Sequence, residues 1–356
     1  MNYFRKILQQ LLGPCLALIL SFFIGGIFIS IIGKDPIEIY IRFFSQSLGT
    51  WYGFGQILFK ATPLIFTGLS AAIGFRSGLF NIGADGQLTI GALFTAIVGS
   101  ILTNVPPVFA VPICLLAGFI GGAIWGVIPG IFKARFGSHE VINTIMMNFI
   151  AAGLSSYLVI NVFGIPATVH TPEISSTSEL MRLETFSSVF RGSPVNMSIF
   201  IALICCTLVY IILWKTRLGF ELRALGLSPT AAEYGGVNKS ARIIIAMALA
   251  GGFAGLVGSN FVLGYKHYFE LGFSEGIGFI GIAVALLAKN DPIGIIFTAF
   301  FFGTLEYGSL TINTLVPKEL SNILQAIVIL LMIGLPKILD RWFIGLQSRL
   351  KVSTNG

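Results

Sequence analysis

Ten apolar runs divide this chain, near residues 11–33, 61–75, 88–103, 108–132, 141–162, 197–214, 243–264, 276–288, 293–311 and 320–336. Many of them approach the length a helix needs to cross a ~30 Å hydrocarbon core, and a helix satisfies its backbone hydrogen bonds within one segment. The pattern predicts an all-α polytopic membrane protein of about ten transmembrane helices, some short or broken, in a single transmembrane domain over residues 1–356. Only 10% of the residues are charged, against about 25% in soluble domains, which excludes a soluble enzyme. The 42 glycines agree, because bilayer helices pack through small residues.

The net charge of +7 reads as topology rather than as nucleic-acid binding. With the N-terminus inside, the inner segments are the N-terminus, 76–87, 133–140, 215–242, 289–292 and the C-terminus. They hold fifteen of the 22 Lys and Arg: Arg5, Lys6, Arg76, Lys133, Arg135, Lys215, Arg217, Arg223, Lys239, Arg242, Lys289, Lys337, Arg341, Arg349 and Lys351. Both ends are therefore expected in the cytoplasm. The first run continues for about 22 residues without a small-residue cleavage site, so it reads as an uncleaved span rather than a secretion signal. Pro14 before Cys15 argues against lipoprotein processing, and Cys15, Cys114, Cys205 and Cys206 all lie in apolar runs as small side chains to be buried.

Two connections stand out. Residues 163–196, expected outside the membrane, are rich in Ser, Thr, Pro and Gly and carry Glu173, Glu179 and Glu184. A connection so long is either a meeting place for a solute-delivering protein or a solvated loop without a partner. Residues 215–242, KTRLGFELRALGLSPTAAEYGGVNKSAR, are polar and basic and are expected in the cytoplasm. Ser228 caps a predicted helix that begins at Pro229 and stops at Gly235-Gly236. A helix that short needs a surface to rest on. Leu222, Ala224, Leu225, Ala231 and Ala232 are expected to lie flush in a protein groove, with Arg223 and Glu233 paired at its rim. The alternative is an interfacial helix on anionic lipid.

Gly118, Gly122, Gly126 and Gly130 form a stripe at every fourth residue, and Gly251 with Gly255 does the same in span seven, so each invites a close helix neighbour. Other motifs fail on context. Gly276-Ile277-Gly278-Phe279-Ile280-Gly281 matches a dinucleotide glycine pattern but opens an apolar span. His139-Glu140 begins a zinc-protease motif whose second histidine position is Asn143, and no GxxxxGK[ST] phosphate loop occurs, so ATP dependence would have to come from a partner.

The segment FRSGLFNIGADGQ, Phe75 to Gln87, joins two short runs and sets Phe80, Asn81, Asp85 and Gln87 among glycines at a membrane boundary. Glycine lets the backbone leave the helix there, and polar side chains then face a cavity rather than lipid. Ser274-Glu275-Gly276-Ile277-Gly278, before the short eighth span, is its counterpart in the other half. Corresponding breaks in two five-helix halves suggest an inverted repeat with a translocation path between them. The plain alternative for Asn81 and Asp85 is a helix-capping turn.

LGFELRALGLSPTAAEYGGV resembles the cytoplasmic coupling segment of bacterial ABC importer permeases in the branched-chain amino acid, ribose and nucleoside superfamily. FRSGLFNIGADGQLTIGA, FKARFGSHEVINTIMMNFIA and GFIGIAVALLAKNDPIG are similar to stretches of its nucleoside and simple-sugar branch, in the same order, so the resemblance covers nearly the whole chain. Asp85 stands where that branch commonly has Glu. The resemblance implies coupling to the ATPase through Leu222, Arg223, Ala224, Leu225, Gly226, Pro229, Ala231, Ala232, Glu233 and Gly235, and a substrate pathway at Phe80, Asn81, Asp85, Gln87, Asn148 and Glu275. It implies two ATPase subunits, which hold the ATP and Mg; no cofactor on this chain; a second permease, often a different chain; and an outer binding protein or lipoprotein. The location implied is the bacterial cytoplasmic membrane, in contact with lipid and not with nucleic acid. Nucleosides are the substrates the resemblance favours, with simple sugars or riboflavin as alternatives. A competing class is an ion-coupled carrier using Asp85, Glu140, Glu275 and Glu306, and another is a membrane scaffold that does not transport.

Overall fold

The computed structural model describes residues 2–274, 276–317, 322–323, 325–332 and 334–335, with side chains from Leu16 onward. Its helices are α1 (Asn2–Ile31), α2 (Pro36–Ser47), α3 (Trp51–Arg76), α4 (Ala84–Ile101), α5 (Pro107–Phe136) and α6 (Glu140–Leu158). There follow α7 (Ser198–Lys215), α8 (Arg217–Leu227), α9 (Pro229–Tyr234), α10 (Lys239–Gly255), α11 (Ile277–Leu287) and α12 (Pro292–Ile312). No strand forms among the described residues, and seven helical stretches are long and apolar enough to cross a membrane. The chain is a polytopic all-α membrane protein.

Each apolar run contains helix, although the pieces described in the last one, 322–323, 325–332 and 334–335, cover it incompletely. Two local expectations need correction. The run at 61–75 is the end of a 26-residue helix rather than a short span. Gln56, Lys60, Gly53 and Gly55 break the apolar pattern of its first half, yet those residues are helical too, and Gln56 Nε2 donates to the Tyr52 hydroxyl at 2.8 Å. The second surprise is α2, which Asp35 caps by accepting from the Ile37 amide at 2.8 Å, with Pro36 at the first helical position.

Cα clustering gives two compact units, residues 51–304 and the described parts of 1–50 with 305–335. In the latter unit the Phe22 and Tyr40 rings meet edge to face at 5.3 Å, and the Tyr40 hydroxyl donates to the Phe22 carbonyl at 2.6 Å. The larger unit contains α3 to α11. Its α3 is buried without a break from Ala61 to Gly74, as expected of a helix that is apolar all round.

The two glycine stripes prove to be partners. A Cβ on Gly122 would strike the Gly251 carbonyl, one on Gly255 the Gly118 carbonyl, and one on Gly126 the Met247 carbonyl. Gly91 of α4 meets the Gly255 Cα in the same way, so α4, α5 and α10 touch backbone to backbone. Span seven does not end with α10: after a turn at 256–257 it continues as a π-helical segment, Ser259–Lys266. Span five likewise ends in a π turn at Val159–Phe163.

The 163–196 connection contains only single-turn helices, but it is pinned to its neighbours. The Ile174 amide donates to the His267 carbonyl at 2.7 Å, Ser175 to Gly99 at 2.9 Å and Leu180 to Leu263 at 2.8 Å. Cys114, Cys205 and Cys206 are free thiols buried in helices.

Candidate functional site

The turn after α3 is built by a few local bonds. The Ser77 hydroxyl donates to the Ile73 carbonyl at 2.9 Å, Gly78 takes φ +72°, and the Leu79 amide returns to the Gly74 carbonyl at 2.9 Å. A left-handed φ of this kind is easy only for glycine. Asn81 then closes the way into α4. Its Nδ2 donates to Gln87 Oε1 at 2.8 Å, and its Oδ1 accepts from Gln87 Nε2 at 3.2 Å and from the Gly83 amide at 3.1 Å. Asn81 is 3% exposed and Gln87 1% exposed, so in this conformation the two amides satisfy each other instead of opening on a cavity.

Two further residues join that cluster. Asn148, on α6, accepts from the Gly86 amide at 2.9 Å and donates to the Ile82 carbonyl at 3.0 Å. Asp85 reaches across to the other broken span, where its Oδ1 accepts from the Gly278 amide at 2.9 Å. There Gly276, φ +83°, precedes the first residue of α11 and offers no side-chain cap, so Asp85 supplies the acceptor a helix N-terminus needs. A Cβ on Gly278 would meet the Asp85 backbone, so this approach requires glycine. The two glycine-rich breaks therefore meet at one point. Phe80 stands apart, 37% exposed, with its ring edge to face on Phe75 at 5.2 Å. Glu275 lies outside the described residues.

The polar insert folds as a fixed helix followed by a bare one. Thr216 caps α8, accepting from the Gly219 amide at 3.1 Å. Glu221, at 7% side-chain exposure, is held by Arg217 at 2.8 Å and also by Arg242 of α10. Arg217 first, and Arg242 with it, keep the Glu221 carboxyl below the usual carboxylate range. Leu222 and Leu225 are buried with Leu79, Ile243, Ala246 and Met247. Gly226 packs so closely on the 76–78 turn that a Cβ would strike the Arg76 carbonyl. The short helix α9 has the expected ends: Ser228 Oγ accepts from the Ala231 amide at 3.3 Å, Pro229 is its first residue and Gly235 follows its last.

The expected contact surface has to be redrawn. Leu222 and Leu225 are buried inside this chain, because α8 is amphipathic and α10 takes up its apolar face, and Ala232 of α9 is buried as well. Ala224 and Gly226 are half-buried, while Pro229, Ala231, Glu233 and Gly235 are exposed. Arg223 does not pair with Glu233 among the described ion pairs; its guanidinium lies 5.9 Å from the centre of the Trp214 ring, which also receives Arg76 at 5.1 Å. Sequence reasoning missed the most exposed apolar residues of the insert, Leu227 and Tyr234, at 89% and 90% exposure. It missed Trp214, and it missed Glu221 as well, although the i,i+4 spacing of Arg217 and Glu221 was there to be read.

One stretch of backbone joins the two sites. Gly78 and Leu79 support α8, and two residues later Asn81 begins the cluster that ends on α11. Arg76 extends the connection by donating to the carbonyls of Asn290 at 3.1 Å and Lys289 at 3.0 Å, just past the other end of α11. Through residues 76–85 the insert is thus in contact with groups at both ends of that short helix.

Comparison with known proteins identifies the family. Residues 53–333 match the family described as branched-chain amino acid transport system / permease component. The chain is 35% identical to the nucleoside ABC transporter permease NupB of Lactococcus lactis, over 90% of each protein. It is 36% identical to the guanosine ABC transporter permease NupP of Bacillus subtilis, covering 91% of this chain and 93% of that one. A glucose ABC transporter permease of Haloferax volcanii is 30% identical over 90% of this chain and 86% of its own length. No solved structure matches. The ion-coupled carrier and the idle scaffold give way to these matches: the chain belongs to the permease family of ABC transporters typified by the branched-chain amino acid systems.

Proposed function

We propose that this chain is the membrane-spanning subunit of an ATP-driven importer of nucleosides. The observation that carries the substrate class is the 35–36% identity, over nine-tenths of the chain, to permeases named for nucleosides and for guanosine. Uptake of simple sugars is the second reading, favoured by the relative named for glucose at 30% identity. The chain works as a transport subunit with no ATPase site of its own; ATP and Mg belong to two cytoplasmic ATPase partners. A second permease, different in sequence, completes the path across the bacterial inner membrane. A binding protein or lipoprotein delivers solute to residues 163–196, and both termini lie in the cytoplasm.

In this reading α8 and α9 form the coupling element. The ATPase receives the exposed tip made by Leu227, Pro229, Thr230, Ala231, Glu233, Tyr234 and Gly235. Leu222, Arg223, Ala224, Leu225, Gly226 and Ala232 hold that tip to the rest of the chain. When ATP closes the ATPase dimer the tip moves as a rigid lever, because Glu221, Gly226 and the buried leucines leave it no freedom against α10 and the 76–79 turn. Asn81, Asp85, Gln87, Asn148 and Phe80 form the inner end of the substrate path, opened when α11 shifts from α4. Glu275 is assigned to the same path on sequence grounds alone.

The test is coupling in the reconstituted complex. Ala231→Trp enlarges the exposed tip and Arg223→Glu reverses the charge beside Trp214, and each is expected to abolish solute-stimulated ATP hydrolysis while the permease still folds. Unchanged stimulation in both variants would remove the coupling role from this segment.

A further inference from the structure

α3 carries Pro63 at the middle of the helix, near the start of its unbroken buried stretch. Proline has no amide hydrogen, so the carbonyl four residues earlier, that of Phe59, loses its helical donor. In a membrane interior such a carbonyl must find another partner. Here the partner is Asn260 Nδ2, at 3.1 Å and 201 residues away. Asn260 is fully buried, and its own carbonyl oxygen is satisfied by Ser198 Oγ at 2.9 Å and Asn196 Nδ2 at 3.2 Å. The Phe59 ring lies against Phe261 at 5.5 Å and Tyr265 at 5.0 Å, so side chains repeat the contact that the amide makes.

Asn260 is itself the second residue of the π segment Ser259–Lys266. Proline gaps and π turns are the places where helices kink and where functional bends are found. One buried amide thus joins the missing donor in α3 to the π segment of span seven, and Ser198 brings in the start of α7. The 163–196 connection is tied to the same segment: the Arg182 guanidinium donates to the Tyr265 carbonyl at 3.2 Å and the Leu180 amide to the Leu263 carbonyl at 2.8 Å. A helix with an ordinary residue at 63 would close its own bond and need no buried asparagine. This chain contains both the gap and the residue that fills it.

We propose that Pro63 and the π segment 259–266 form a compound hinge for transport, and that Asn260 is its positioning residue. The proposal rests on the importer reading. As the permease changes state, α3 and span seven bend together at this level, and Asn260 keeps the two bends in register. Force applied at the 163–196 connection enters the helices at the same point.

The experiment uses the whole complex with its ATPase and binding-protein partners, and the wild type must first take up nucleoside, which tests the importer reading separately. Asn260→Leu leaves the Phe59 carbonyl without a donor; turnover per assembled complex is expected to fall about tenfold with the half-saturating solute concentration unchanged. Pro63→Ala restores the helical donor and removes the ring that disfavours a straight helix at this level. It is expected to lower turnover although the complex melts no earlier than wild type, and the double variant is expected to transport no better than Pro63→Ala alone. Amides of 64–67 and 259–266 should also exchange with deuterium at different rates in the nucleotide-free and ATP-bound complexes. The proposal is overturned if Pro63→Ala transports at the wild-type rate, or if it restores Asn260→Leu to full turnover. Either result would make the Asn260 bond a matter of satisfying one carbonyl. Where Asn260→Leu fails to assemble, the turnover of Pro63→Ala decides alone.

Discussion

α10 and α6 are both apolar, and each lies in a stretch long enough to cross a bilayer, yet they are held in the molecule in opposite ways. α10 lies backbone to backbone on α5 through Gly251 and Gly255, and from Ala250 to Gly255 every residue is buried. α6 buries only Thr144, Met147, Ala151 and Ser155, one narrow stripe at spacings of three and four. Hydrogen bonds hold it instead: Trp125 Nε1 donates to the Met147 carbonyl at 3.2 Å, and Asn148 bonds to Ile82 and Gly86. Its other side shows Ile142, Met146, Phe149, Ile150 and Tyr157. In lipid an apolar side chain gains little from moving inward, so apolarity marks a helix as a span without saying whether it lies at the centre or the edge. Small residues and polar pairs carry that information.

The sharpest way to break this comparison is to place the same side chain in both helices. Gly251→Leu would drive a Cβ into the Gly122 carbonyl, and relief would require α5 and α10 to separate. Overpacking of this kind costs about 3 kcal/mol or more where backbone blocks the space. The variant is expected to be missing from the membrane fraction, or to melt far below wild type in detergent. A normal melting temperature would mean that the seam is looser than its geometry implies.

These contrasts also explain what could be read from the residues beforehand. The spans were legible because lipid dictates length and apolarity, and α9 was legible because Ser228, Pro229 and Gly235 are local signals. The glycine stripes announced close packing, but which stripe meets which is a long-range fact that no local pattern encodes. The same holds for Asp85 and the Gly278 amide, 193 residues apart. α2 was missed because Glu38 and Arg42 interrupt its apolar residues, although Asp35-Pro36 is a helix-start signal. Leu222 and Leu225 were placed on the outer face because one helix stripe looks the same whether it meets a partner or its own chain.

Hydrogen bonds should matter most where burial is least. Asn148→Leu keeps the side-chain size but leaves the Gly86 amide and the Ile82 carbonyl without partners, which costs about 2–3 kcal/mol. Thermal unfolding would register the loss, and α6 amides should exchange with deuterium sooner than those of α10. Trp125→Phe removes one donor to the Met147 carbonyl, an oxygen that can also accept within its own helix. Its cost is expected near 1 kcal/mol, again confined to α6. Equal losses from these variants in α6 and α10 would show that burial, not bonding, holds the edge helix.

The smallest effect should come from Gly153→Leu, the same change as in α10 made on the bare side of α6. Nothing lies within 4 Å of a Cβ built there. Leucine favours helix over glycine by about 0.5–1 kcal/mol, and no neighbour opposes it, so the change should be neutral or slightly stabilising in detergent. Transport by the assembled complex should also be unchanged if this face meets only lipid. A variant that melts normally but no longer transports would show that a protein surface packs against α6 in the working assembly, and the edge of this chain would then be the interior of a larger one.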